Sequence, residues 1–117
     1  MKYHLILLAS LVLAGGAVAV EYRKLAGSYS FSGANFYDPP AGEAQDTHIF
    51  LEIDGQAAKD LFAKMKVKPL LAECGDPGTQ TKRIKDMQCT RSANAKEYRC
   101  WFGIDIANQK IVNGVVC

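Results

Sequence analysis

The chain lacks most of the patterns by which a metal or catalytic centre is recognised. Its four cysteines, Cys74, Cys89, Cys100 and Cys117, are too far apart for the C-x₂₋₄-C clip of a zinc site. Beyond the first few residues the only histidine is His48. There is no G-x-S-x-G elbow and no H-E-x-x-H pair, so neither a serine-hydrolase nor a zinc-protease arrangement is in view. The expectation is no metal, no cofactor and no catalytic set.

Strong charge of one sign is also missing. Fourteen basic residues stand against twelve acidic ones, a formal net charge of +2. Lys64, Lys66 and Lys68, and Lys82, Arg83 and Lys85, form mild local clusters that read as a solvated helix face and a loop rim. A nucleic-acid partner would call for a basic stripe, and none is present.

A hydrophobic run long enough to cross a bilayer is absent too. The uncharged stretch from Leu5 to Val20 is 16 residues, short of the ~20 that a spanning helix needs. Lys2 precedes an apolar run from Leu5 to Ala14, and small residues end in Ala17-Val18-Ala19. That is the layout of a secretory signal peptide, expected over 1–19 and removed after Ala19. No membrane span then remains. No cysteine follows the run, so no lipid-modified terminus is implied. The mature chain is expected to be periplasmic or secreted.

All four cysteines lie in that mature part, and an even number in a short exported chain reads as two disulfides. Residues 20–45 are rich in Gly, Ser and Ala and are expected to be partly irregular, with a strand-like piece at Ser28–Ser32. Residues 46–117 read as the stapled domain. Thr47–Ile53 alternates as a strand, with Ile49, Leu51 and Ile53 on one face and His48, Phe50 and Glu52 on the other. Glu52 is near enough in sequence to raise the His48 pKa if the two meet. Asp54 is placed to cap a helix over Gln56–Lys66, whose stripe Ala58, Leu61, Phe62 and Met65 is core. A short helical turn is expected at Leu70–Glu73 and a turn at Asp76-Pro77-Gly78. Three strands follow: Ile84–Arg91, Tyr98–Ile106 and Lys110–Cys117. The class is α+β, one amphipathic helix on a small antiparallel sheet that ends in a three-stranded meander.

Register narrows the cysteine pairing. A turn about Asn94-Ala95 sets Cys89 opposite Cys100, leaving Cys74 to join Cys117. A turn about Asn108-Gln109 instead sets Cys100 opposite Cys117, leaving Cys74 to Cys89. The first pairing is the expectation and the second stays open.

The pieces Gly55-Gln56-Ala57-Ala58-Lys59-Asp60-Leu61-Phe62 and Cys89…Tyr98-Arg99-Cys100 resemble small exported bacterial proteins of unknown function. In those, a strand, a G-x-A-A-K-x-L-[FY] helix start and a C…Y-x-C hairpin follow one another. The resemblance implies the same element order and the Cys89–Cys100 bond. It carries no activity.

On the last long strand, Tyr98, Cys100, Phe102 and Ile104 point one way and Arg99, Trp101, Gly103 and Asp105 the other. Trp101 is expected near Gln88 on the preceding strand and Val116 on the following one. Arg and Trp are the residues that most often anchor interfaces. The expected binding set is therefore Arg99, Trp101, Asp105, Gln88 and Val116, unless the aromatic segment Tyr29–Tyr37 folds over this face. The leading expectation is an exported binding module, an inhibitor or immunity-type protein that docks on another envelope or secreted protein. The alternatives are a small glycan or peptidoglycan hydrolase working through a carboxylate pair, and a structural envelope protein.

Overall fold

A computed structural model describes residues 15–16, 19–35 and 38–114. The expected leader therefore lies almost wholly outside the described residues. So do Phe36, Tyr37, Val116, Cys117 and the bond expected between Cys74 and Cys117.

In chain order the elements are β1 (Ala26–Ser32), β2 (His48–Asp54), α1 (Gly55–Lys64), β3 (Leu70–Leu71), β4 (Gln80–Ile84), β5 (Met87–Arg91), β6 (Tyr98–Asp105) and β7 (Lys110–Val112). The strands form one antiparallel sheet in the order β1-β2-β6-β5-β4-β3, with β7 also paired to β6. The protein is α+β, with one short helix among the described residues.

β2 sits between β1 and β6 and makes seven residue pairs with each. Its alternation explains why. Ile49, Leu51 and Ile53 face Ile104, Phe102 and Cys100 across β6, so every pair on that face is apolar. β2 runs straight into α1. Gly55, at φ +62°, allows the reversal that a side chain would strain. Asp54 does occupy the N-cap position, but its side chain makes no capping bond.

The helix stripe packs as the 3.6-residue period predicts. Ala58, Phe62 and Met65 are buried with Cys89 and Cys100, and Leu61, Ile53, Met87 and Tyr98 flank them. The helix ends at Lys64, two residues short of the expected Lys66, and Met65 N–H donates back to Leu61 O at 3.0 Å. Its final carbonyls are met from the sheet. Lys82 Nζ donates to Phe62 O at 2.9 Å and Met65 O at 3.1 Å, placing a cation at the negative end of the helix. The same ammonium lies 4.5 Å from the centre of the Phe62 ring, Arg91 lies 4.9 Å from it, and Tyr98 meets it edge-on at 5.6 Å.

Three expectations change. The single strand expected over Ile84–Arg91 is split by a tight turn: Ile84 ends β4 and stands opposite Met87, where β5 begins. The connecting pair Lys85-Asp86 contains no glycine or asparagine, yet Lys85 takes φ +51°. The helical turn expected at Leu70–Glu73 is instead β3, paired to β4. The C-terminal meander is also rearranged. β5 pairs with residues 98–101 of β6 and β7 with 103–105, while β2 takes residues 99–105. β5 and β7 thus share one edge of β6, because the seven-pair match with β2 claims the other.

The second hairpin register is Asp105 opposite Lys110, so paired residues sum to 215 rather than the expected 217. Cys89 and Cys100 stand opposite each other and are bonded, which removes the alternative pairing. Both are fully buried beneath Ala58, whose carbonyl oxygen is 3.7 Å from Cys100 Sγ.

Phe62→Ala should lower unfolding stability by about 3–5 kcal/mol in urea titration, since it empties the centre of this small core. Ala58→Leu should cost about 1–3 kcal/mol in the same measurement, because the site over the disulfide has no spare volume.

Candidate functional site: a groove over Trp101

The pleat sends alternate residues of the sheet away from the helix. On that face Gln88 stands opposite Trp101, Thr90 opposite Arg99, Arg83 opposite Gln88 and Thr81 opposite Thr90. These side chains floor a groove of about 690 Å³. Its wall is the segment from Leu70 to Asp76, and Ser92 and Glu97 lie at the hairpin end.

The wall stands because its backbone is tied down. Ala72 N–H donates to Thr79 O at 2.8 Å, continuing the β3–β4 ladder, and Thr79 N–H donates to Asp76 O at 3.1 Å. At the hairpin end, Glu97 N–H donates to Ser92 Oγ at 3.0 Å.

Trp101 is held at its edge. Its indole Nε1–H donates to Glu52 Oε2 at 3.1 Å, and the other carboxylate oxygen is 3.7 Å from Arg99 Nη1. One β2 carboxylate thus orients two of the five residues expected to bind, Trp101 and Arg99. Arg83 donates to the Gln88 side-chain oxygen, and Gln88 is buried. Thr81 Oγ1 is buried in the lining without a hydrogen-bond partner among the described residues. A buried hydroxyl without a partner costs free energy that a ligand's polar group can recover.

Of the expected binding residues, Arg99, Trp101 and Gln88 are brought together here. Asp105 shares their face but lies two residues beyond Gly103, outside the groove. Its cross-strand partner is His48, whose Nε2 is 3.8 Å from Asp105 Oδ2. The carboxylate near His48 is thus Asp105 and not Glu52. Val116 lies outside the described residues. The expected aromatic cover is not provided by Tyr29 or Phe31, which pair with Leu51 and Ile49 on the helix side.

Phe50, opposite Gly103, separates the His48 end from the groove, and a Cβ on Gly103 would come within 2.8 Å of both Phe50 Cδ1 and Val112 Cγ2. Thr81, Arg83 and the Leu70–Asp76 wall were not foreseen. The stretch Thr79–Ile84 is polar at both phases of a strand period, so no alternation marks it.

Asn108 dominates the electrostatics of Asp105. Its side-chain amide donates at 2.8 Å and its backbone N–H at 3.2 Å, and both hold the carboxyl below its ordinary value of 3.8. A depressed folded-state pKa adds stability at higher pH that is lost as pH falls through the folded value. Asn108→Ala should therefore raise the Asp105 pKa in a carboxyl NMR titration. Its stability deficit against the parent should be full above about pH 4 and shrink in stronger acid.

Among the described residues, no cluster of His, Cys, Asp and Glu could hold a metal ion, and no helix is long and apolar enough to cross a membrane. No family model, curated protein or solved structure matches the chain.

Proposed function

We propose that this protein is an exported binding module whose ligand site is the groove over Trp101. The carrying observation is that Trp101 and Arg99 share one orienting carboxylate, Glu52, at the floor of a walled concavity. Its volume lies within the roughly 300–1,000 Å³ range of ligand pockets. A fixed indole face beside a guanidinium and several hydroxyls supplies an apolar platform with polar groups around it. That combination suits a projecting loop or chain end of another envelope or secreted protein, as an inhibitor or immunity-type protein would engage.

Catalysis is the second reading, since Glu73, Asp76 and Glu97 line the groove and could act on a glycan. Binding is preferred because His48 lies at the other end of the face, with Asp105 and Thr47. The exported location is part of the proposal. It rests on the leader-like 1–19 and on the buried disulfide, which suits an oxidising compartment. The expected Cys74–Cys117 bond would tether the groove wall, which contains Cys74, to the chain end.

Trp101 is the sole tryptophan, so selectively excited tryptophan emission reports on the groove alone. Titration with envelope extract fractions should quench or shift that emission, and Arg99→Ala should weaken the response about tenfold or more. Partner capture by the parent and by Trp101→Ala should differ; identical partner lists would remove this face from the function.

A further inference from the structure

The face that carries α1 is only partly covered by it. Successive cross-strand rows run across the sheet, and the helix packs over the row containing Ile53, Cys100 and Cys89. The next row is Tyr29, Leu51 and Phe102, and the one after it Phe31, Ile49, Ile104 and Ile111. None of these seven belongs to the helix-packed cluster, none is charged, and the Tyr29 hydroxyl is their only side-chain polar group. Tyr29 is 67% exposed, Phe31 54% and Ile111 57%.

We infer that this patch is the contact between two copies of the chain, packed sheet on sheet about a two-fold axis. Four observations favour a second copy over other occupants. The patch carries no charge, so a self-contact brings no like charges together and a charged partner gains nothing there. The exposed part of these side chains is on the order of 500 Å², so two copies bury about 1,000 Å², the lower bound for a specific interface.

The third is the thinness of the core. Among the described residues six hydrophobics are buried, two of them the bonded cysteines, few for the seven strands they serve. Pairing the patches extends that core along the uncovered rows. The fourth is shape: two rows of side chains on a twisted sheet interdigitate with an identical pair at about 10 Å separation. The arrangement leaves the Trp101 grooves on the two outer faces, both open, so it stands or falls independently of the binding reading.

The test uses the full chain expressed with its leader and purified without reductant. Sedimentation velocity from about 1 to 100 µM should show a two-copy mass at the upper end. Ile111→Lys, at the end of the outermost row, should raise the dimer dissociation constant at least ~10-fold. Tyr29→Lys, on a different strand, should do the same, so misfolding of one variant does not decide the outcome. Retention of the Cys89–Cys100 bond and of the Trp101 emission spectrum reports that each variant is folded. A parent that stays monomeric at about 100 µM overturns the inference. So does a dimer that neither substitution weakens. Partition of a monomeric parent onto phosphatidylglycerol-containing vesicles would assign the face to lipid and overturn it as well.

Discussion

The buried cross-strand disulfide between Cys89 and Cys100 is the constraint on which the rest of the molecule depends. It locks β5 against β6 in one register, and a slip by one residue would exchange the two faces of the sheet. With that register, Cys89 and Cys100 lie under Ala58 while Gln88 and Trp101 lie on the opposite face. One covalent link thus sets both the floor of the core and the floor of the groove. The small side chain of Ala58 lets the helix approach closely enough to seal it.

From this point the two faces diverge in chemistry. The helix side is held by apolar contact and by cations placed on aromatic and carbonyl groups. Lys82 joins these modes, since its ammonium meets the helix-end carbonyls while lying over the Phe62 ring. The opposite side is polar and organised by single carboxylates, Glu52 beneath Trp101 and Arg99, and Asp105 beside His48 and Asn108. Phe50, packed over Gly103, keeps those two polar stations apart.

The strands and the helix with clear periodicity were readable in advance. β2, α1 and β6 each carry an apolar set at the right spacing, and their inward faces follow from it. The Cys89–Cys100 pair was readable too, because the Ser92–Ala95 turn fixes the sum of opposed positions. The β4 strand was not, since Gln80 to Arg83 is polar at both phases of a strand and the segment is closed by a turn that no glycine announces. Missing β4 also hid the wall and half the floor of the groove. Arg99, Trp101 and Gln88 could be named from alternation alone, but Thr81 and Arg83 join them only once β4 is in place.

The amino-acid sequence alone determined local matters: periods of two and 3.6, turn-forming residues, and which side chains share a face. These depend on neighbours within a few residues, and short-range sterics and solvation decide them. Tertiary structure decided which strand lies beside which. β2 and β7 both offered apolar faces to β6, and seven matched pairs against three resolved the competition. Glu52 reaches Trp101 only because of that outcome, 49 residues away along the chain, and no local signal contains such a contact.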